Sequence, residues 1–154
     1  MKRTIIVGLG NPIISDDSVG VKVAQNLRGQ VSGFKGVDVV EVFAGGLRLM
    51  DVLVGYDKAI IIDAMINESG KPGEIRKFGL KDLMATRNVS SSHDMDLNSA
   101  LEVGFATGLK LPKEISIWGI EAEDVFTFSE ELTSEVRKAV PIAESMIMKE
   151  LASS

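Results

Sequence analysis

Three segments of this sequence carry side chains that could bind a metal ion or move protons. Asp16 and Asp17 lie in the segment SDD, Asp63 ends the run AIIID, and His93 lies in SSHDMDLNSAL as the only histidine. Both acidic segments follow strongly apolar, strand-like runs. If these runs are neighbouring strands of a parallel sheet, the three segments can meet at one edge of it. Two carboxylates and one imidazole form a donor set that suits a divalent metal ion.

Each of these residues also has an interpretation that involves no chemistry. Asp16 or Asp17 could cap the helix that follows and complement its dipole. Asp63 could be an ordinary turn aspartate, although the carboxyl end of a central strand is where open α/β folds place their ligands. A single histidine in a polar loop is usually only solvated. His93 therefore gains significance from its combination with the two acidic segments.

The segment GLGNPIISDDSVG could instead belong to a nucleotide-binding protein, because a glycine-rich turn before a helix can hold phosphate. A dinucleotide-binding fingerprint would need glycine where Ile13 stands, and a P-loop would need Gly-Lys-Ser/Thr, which is absent. Carboxylates at the helix start would also repel phosphate. Gly8 and Gly10 therefore favour a tight turn, and a small nucleotide-binding α/β domain remains the weaker alternative.

A serine hydrolase is a further alternative, because Ser91 and Ser92 adjoin His93. The sequence has no G-x-S-x-G elbow, and residues adjacent in the chain do not form a catalytic triad through adjacency alone. There is no cysteine, which excludes thiol nucleophiles, disulfides and zinc–thiolate sites. The lack of a conventional nucleophile favours a metal-dependent reaction.

Length and composition predict one globular domain over residues 1–154. Apolar residues make up 45% of the chain, and the formal net charge of −5 argues against nucleic acid as a partner. The apolar run near the N-terminus is too short for a secretion signal or a membrane span. We therefore expect a cytoplasmic location and no membrane contact. We also expect a monomer.

Apolar patterning predicts an α/β three-layer sandwich: a mostly parallel, twisted sheet of about five strands with helices on both faces. Thr133 should cap the last helix, and Pro141 should kink that helix or shift its start. Trp118, Phe126 and Phe128 suggest core or surface packing. Strands are predicted at residues 4–9, 37–43, 59–63, 73–78 and 114–120, and helices at 19–27, 47–54, 96–106 and 133–151. Turns are predicted at 45–46 and 72–73, and a loop at 82–92. A further solvated loop is predicted around Glu121, Glu123 and Asp124, and it could border the site.

Taken in order, these segments resemble the hydrogenase maturation endopeptidases, nickel-dependent proteases that trim the C-terminus of the [NiFe]-hydrogenase large-subunit precursor. The resemblance covers nearly the whole chain. Two departures are Ser18, where glycine is common, and the stretch AGGL at residues 44–47, which fits the family's second glycine-rich loop only loosely. The matching motifs are GLGNPIISDDSVG, IIIDAM, SSHDMDLNSAL and WGIEAED.

The resemblance implies that Asp17, Asp63 and His93 are both the catalytic and the metal-contacting residues. Asp16 matches a preceding acid that is not a direct ligand. The implied metal is nickel carried by the precursor, and other divalent metals could occupy the same site. The implied function is removal of the precursor's C-terminal extension. A non-catalytic nickel-checking protein with the same three residues is the main alternative.

Overall fold

Apolar strands alternating with amphipathic helices build a layered α/β structure. The computed structural model describes residues 2–43, 47–79, 90–91 and 97–154. Two short 3₁₀ turns, at Ser15–Ser18 and Val31–Gly33, flank the first helix. The strands are β1 (Thr4–Leu9), β2 (Val37–Val42), β3 (Lys58–Ile66), β4 (Ile75–Gly79), β5 (Ser90–Ser91) and β6 (Glu114–Glu121), and the α-helices are α1 (Val19–Gln30), α2 (Leu47–Leu53), α3 (Leu97–Ala106) and α4 (Ser134–Ala152).

The strands form a sheet in the order β2-β1-β3-β6-β4 within the described residues. The first four of these strands are parallel, whereas β4 pairs antiparallel with β6 at the edge. The two-residue strand β5 pairs antiparallel with the end of β3. The central strand β3 is buried along almost its whole length, as its unbroken apolar run predicts.

Two apolar cores lie on opposite faces of this sheet. Successive side chains of a strand point to opposite faces, so Ile60 and Ile62 pack toward α1 and α4. Ala59 and Ile61 pack toward α2 and Leu101 of α3. The structure thus confirms the predicted three-layer sandwich, with a mostly parallel sheet between helices.

The final helix follows Thr133, as predicted, and contains Pro141 in its interior. The helix begins at Ser134 and runs through Pro141 to Ala152, so the proline does not shift its start. Pro141 removes one backbone hydrogen bond, and burial of Val136, Val140 and Ile147 against the sheet offsets that loss. Thr133 is the residue before the helix, but its side chain makes no capping hydrogen bond.

The first helix is held unusually close to the sheet by two glycines. A Cβ atom on Gly8 would collide with the carbonyl oxygen of Gly20, and one on Gly20 would collide with the carbonyl oxygens of Ile62 and Leu9. Because neither glycine has a side chain, α1 can lie directly on β1 and β3. This close approach fixes the 3₁₀ turn before α1 against the carboxyl end of the sheet.

Several predicted features lie wholly or partly outside the described residues. These are the glycine turn at residues 45–46 and most of the loop at residues 82–92, of which Ser90–Ser91 is described as β5. The third helix is described from Leu97, so the predicted start at residue 96 also lies outside.

Candidate active site

Asp63 lies where the central strand reaches the carboxyl edge of the sheet. The pairing of β1 with β3 ends at Gly8 and Ile62, one residue before Asp63. On its other side Asp63 is opposite Gly119 of β6. The residue is only 6% exposed. A carboxyl group is therefore held by a buried strand, beside a glycine that contributes no side chain.

Asp17 reaches the same edge from the turn that precedes α1. The turn Ser15–Ser18 contacts β3, and Asp17 is 7% exposed. Its Oδ2 accepts a hydrogen bond of 2.9 Å from the backbone N–H of Asn11. Gly10 has φ of 150°, and a Cβ atom there would collide with the carbonyl oxygen of Asp17. The loop after β1 thus folds tightly around Asp17, and two of the three predicted segments lie at one edge.

Asp16 has a structural role that differs from that of its neighbour. It is fully buried, and its carboxylate accepts four hydrogen bonds. Oδ2 accepts from the backbone N–H groups of Glu123 and Asp124 and from the hydroxyl of Thr133, and Oδ1 accepts from the N–H of Thr133, over distances of 2.7–2.9 Å. The predicted helix cap is therefore wrong for Asp16, because the carboxylate binds a loop that is distant in sequence. Sequence reasoning missed this role.

The residues that Asp16 binds belong to one loop, 122–133, which connects β6 to α4. We call this segment the aromatic loop, because it contains Phe126 and Phe128. Three further hydrogen bonds join it to the loop after β1 and the 3₁₀ turn. Asp16 N–H donates to the carbonyl of Asp124 and Ser129 N–H to that of Ile13, both at 2.9 Å, and Ser15 Oγ donates to that of Glu131 at 3.1 Å. The two loops therefore form one rim beside Asp17.

Glu121 corrects the prediction of a solvated acidic loop. It is the last residue of β6 and only 2% exposed. Its Oε1 accepts the backbone N–H of Asn67 at 2.7 Å, whereas Oε2 has no hydrogen-bond partner in the described part of the chain. Burial raises the pKa of Glu121, and the Asn67 N–H and the Arg76 charge oppose that rise only in part. The only sequence signal was its position directly after the apolar strand.

The remaining two acids of that stretch lie in a loop, as predicted. Glu123 is exposed and Asp124 is half-buried. The hydroxyl of Thr127 and the backbone N–H groups of Phe126 and Thr127 hold the pKa of Asp124 below its usual range. Trp118 is buried in the core, whereas Phe126 and Phe128 are on the surface.

His93 lies outside the described residues, as do Ser92, Asp94 and Asp96. The nearest described residue, Ser91, pairs with Met65 of β3, which is two positions beyond Asp63. The chain thus passes the carboxyl end of β3 shortly before it reaches His93. No group of three potential metal-binding side chains occurs among the residues that the structure describes. The three-residue metal site stays a prediction.

Gly8, near the end of β1, and Gly10, just after it, argue against nucleotide binding. Gly8 and Gly10 are used for contacts within the protein, with Gly20 and with the backbone of Asp17. The Asn11 N–H, which could otherwise point at a phosphate, donates to Asp17 instead. The fold and the two buried carboxylates thus define an α/β protein whose candidate site lies at the carboxyl edge of its sheet.

Comparison with known proteins gives the family. The model of the hydrogenase maturation protease family matches residues 21–150, a range that contains Asp63 and His93 but begins after Asp17. The chain therefore belongs to the hydrogenase maturation proteases. Proteases of this family cleave the C-terminal extension of the hydrogenase large subunit, and this chain is accordingly an endopeptidase of hydrogenase maturation. Membership of this family favours proteolysis over the nucleotide-binding and non-catalytic alternatives.

Two known proteins are similar to most of this chain. The chain is 32% identical over 143 residues to protein FrxA of Pyrococcus furiosus, which covers 88% of this chain and 95% of the relative. It is 24% identical over 124 residues to the hydrogenase 2 maturation protease of Escherichia coli, covering 80% and 75% of the two chains.

Solved structures agree in fold. The [NiFe] hydrogenase maturation protease HybD from Thermococcus kodakarensis superposes with a TM-score of 0.79 at 30% identity, covering 97% of this chain and 99% of that one. The maturating endopeptidase HybD from E. coli also gives a TM-score of 0.79, covering 98% and 93% of the two chains, and at 21% identity it supports the fold alone. Among the described residues, no helix is long and apolar enough to cross a membrane.

Proposed function

We propose that this protease recognises nickel carried by its large-subunit precursor, through Asp17, Asp63 and His93, and cleaves the C-terminal extension beside that metal. The observation that carries the proposal is the placement of Asp17 and Asp63. They come from different elements, a 3₁₀ turn and a central strand, and both are more than nine-tenths buried at one edge of the sheet. Side chains on such elements are held in place before substrate binds.

The chemistry of the donor set supports nickel as the recognised ion. Carboxylate oxygens and a neutral imidazole nitrogen bind divalent first-row metals, and imidazole is a good ligand for nickel. A buried carboxylate is costly in free energy unless a hydrogen bond or a cation stabilises it. A metal brought by the substrate would add such stabilisation at the moment of recognition. In this proposal the nickel belongs to the substrate, and the protease supplies three contacts to it.

The protein's own groups would select and orient the precursor. The Asn11 N–H and the tight Gly10 turn hold the Asp17 carboxyl group, and pairing of β3 with β6 holds Asp63. Bound nickel would supply polarisation of the scissile carbonyl or activation of a water molecule. Ser91 lies in a strand, and no nucleophile motif accompanies it, so serine chemistry receives no support.

The decisive experiment incubates the wild-type protein with nickel-loaded precursor and, separately, with metal-free precursor. Trimming is read as an increase in electrophoretic mobility of the large subunit. We expect trimming only with nickel. Binding of nickel-loaded precursor without any trimming would instead support a nickel-checking protein, and equal trimming of both precursors would refute nickel recognition.

Three variants test the assigned residues. Asp63→Asn, Asp17→Asn and His93→Ala should each lower the trimming rate by at least about 100-fold, because loss of even an indirect metal contact costs 10- to 100-fold. Ser91→Ala and Ser92→Ala are the matched controls and should keep most activity. Full trimming by His93→Ala would leave only two carboxylates, which is too few contacts to sustain the proposed site.

A further inference from the structure

The aromatic loop exposes large apolar side chains next to the candidate active site. Phe126 is 84% exposed and Phe128 is 80% exposed, and Ile13 in the adjoining loop is 51% exposed. Ile14 forms β-bridges with Phe128 and Ser129, so the apolar residues of the two loops are neighbours. Single exposed apolar residues are common, but a group of them on one rim indicates an interaction surface.

Hydrogen bonds hold in place the backbone that carries Phe126 and Phe128. Asp124 Oδ1 accepts the N–H groups of Phe126 and Thr127 at 2.9 and 3.0 Å. The buried Asp16 carboxylate holds the loop at Glu123, Asp124 and Thr133. An interaction surface that is already ordered loses less conformational entropy when it binds, which favours affinity.

The same hydrogen bonds join the loop to the site. Asp16 binds the aromatic loop, and the next residue, Asp17, is a candidate contact to the substrate's nickel. The exposed phenylalanines are therefore continuous with the place where the precursor must be cleaved. A protein that brings its C-terminal extension to Asp17 and Asp63 would lie against this rim.

The charge of the loop indicates the chemistry of its partner. The loop contains Glu123, Asp124, Glu130 and Glu131 and no lysine or arginine. The three glutamates form no ion pair within the described residues. Lys22 and Arg137 donate to backbone carbonyls of Glu130 and Leu132 rather than to these carboxylates. A matching surface would be apolar with basic residues around it.

We infer that the aromatic loop is the docking surface for the large-subunit precursor, at an apolar patch flanked by lysine or arginine near the extension. The inference rests on the proposed function and adds a recognition surface separate from the metal contacts. A second copy of this chain fits less well, because a two-fold contact would place the same acidic loops together. An anionic membrane surface would likewise repel them.

The test measures trimming kinetics with nickel-loaded precursor. The variant Phe126→Ala/Phe128→Ala should raise KM at least about tenfold, because exposed aromatic anchors often dominate interface affinity, while kcat changes less than about threefold. The matched control is Val54→Ala/Leu109→Ala, which removes two 40%-exposed apolar residues from segments preceding β3 and β6, at the opposite edge. Its KM should equal that of the wild type.

A second variant tests the charge of the partner. In wild type, KM should rise with salt, because salt screens exposed charges. Glu123→Gln/Glu130→Gln/Glu131→Gln should raise KM at low salt and flatten that dependence. No salt dependence in wild type, or no change in this variant, would overturn the assignment of a basic patch.

The outcomes separate this inference from the proposed function. If the wild type does not trim the nickel-loaded precursor, the proposed function fails. If the wild type trims and the phenylalanine variant has an unchanged KM, only the docking surface fails. A wild-type dimer that becomes monomeric in the phenylalanine variant, by light scattering, would overturn the docking inference in favour of self-association.

Discussion

Asp16 and Asp17 are adjacent in the chain but have different environments: Asp16 is bound by the aromatic loop, and Asp17 lies at the candidate site. Asp16 is fully buried, and its oxygens are used by four donors from the aromatic loop. Asp17 lies in the same 3₁₀ turn and accepts the Asn11 N–H from the other side. Neither caps α1, whose first residues show no side-chain cap. Asp16 thereby fixes the turn that presents Asp17.

The roles of Asp16 and Asp17 can be distinguished by making the same Asp→Asn substitution at each position. Asp16→Asn replaces one acceptor oxygen by a donor that faces other donors, so the free energy of unfolding should fall by about 2–3 kcal/mol. Asp17→Asn can keep its bond with Asn11 and should lose trimming activity with a much smaller loss of stability. Urea unfolding and a trimming assay on both variants check this. Equal stability losses would contradict the division of roles.

Glu121 should make the protein less stable as the pH rises. Burial raises its pKa above the usual value of 4.5, so the folded state holds the proton more tightly than the unfolded chain. Between the unfolded and the folded pKa the native state binds more protons, and the free energy of unfolding therefore falls with increasing pH. Glu121→Gln removes this dependence, and the variant should be more stable than wild type at neutral pH.

Unfolding by urea at several pH values checks this prediction. The difference between wild type and Glu121→Gln isolates Glu121, because all other titrating groups are common to both proteins. The difference should be smallest at the acidic end and grow as the pH rises above 4.5. A variant that is less stable than wild type at neutral pH would show that the ionised carboxylate is favourable in the fold.

At the scale of whole elements, apolar patterning correctly predicted the helices and strands whose formation depends on local sequence. The unbroken apolar run of β3 and the spacing of α1 gave the correct elements, because burial on both faces or on one face leaves a clear pattern. The structure extends β3 beyond Asp63 to Ile66 and β6 beyond Ile120 to Glu121. Polar residues end the apolar sequence pattern, but the strands continue past them.

The errors have one physical cause, which is contact between residues distant in the chain. Asp16 and Thr133 each looked like a helix cap, yet they bind one another across the molecule. Glu121 looked solvated because its cover comes from the turn at Asn67 and Gly70. The placement of Asp17 and Asp63 at one edge could be predicted because carboxyl ends of parallel strands share an edge, a rule that needs no such contacts. The role of His93 stays a prediction.

The packing of α1 on the sheet can be tested with two glycines in the same helix. Gly20→Ala places a methyl group against the carbonyls of Ile62 and Leu9, so the free energy of unfolding should fall by about 1–3 kcal/mol. Gly29→Ala meets nothing within 4 Å and should stabilise the helix by up to about 1 kcal/mol. Thermal or urea unfolding of both variants measures the difference.

The two variants should also differ in activity. Displacement of α1 by Gly20→Ala moves the adjoining turn and hence Asp17, so trimming should fall, whereas Gly29→Ala should trim at the wild-type rate. A Gly20→Ala protein as stable and active as Gly29→Ala would mean that the close approach of α1 to β1 and β3 is not needed.

On the scale of the whole molecule, the two edges of the sheet carry different buried ionisable groups. The carboxyl edge has Asp17 and Asp63. At the amino edge, Lys58 is 4% exposed and lies 2.9 Å from Glu150 and 3.1 Å from Glu114. Glu150 also accepts hydrogen bonds from Ser116 and Trp118. This network ties the end of α4 to β3 and β6, so it stabilises the fold at the edge opposite the candidate site.

Lys58 and Glu150, which form an ion pair in this network, have shifted pKa values. Burial lowers the pKa of Lys58, but its hydrogen bonds to Glu150 and Glu114 outweigh burial and raise the pKa above 10.5. Burial raises the pKa of Glu150, and bonds from Lys58, Lys77 and Ser116 outweigh it and lower the pKa below 4.5. The Glu150 contribution is present above pH 4.5 and is lost as the pH falls through the folded pKa. The Lys58 contribution is present below pH 10.5 and is lost as the pH rises through the folded pKa.

Lys58→Met should therefore destabilise the protein strongly at neutral pH without altering the site. The substitution leaves Glu150 buried without its closest cation, and breaking a buried pair in this way costs about 3–5 kcal/mol. The residual bond from Lys77 to Glu150 places the expected loss at the lower end of that range.

The control is Lys138→Met, whose ion pair with Glu135 is exposed and should contribute less than about 0.5 kcal/mol. Urea unfolding at pH 7 measures both losses, and trimming of nickel-loaded precursor at low temperature, where Lys58→Met is still folded, should match wild type. A loss no larger than that of Lys138→Met would show that the amino-edge network does not stabilise the fold, and a loss of trimming in folded Lys58→Met would show that the two edges are coupled.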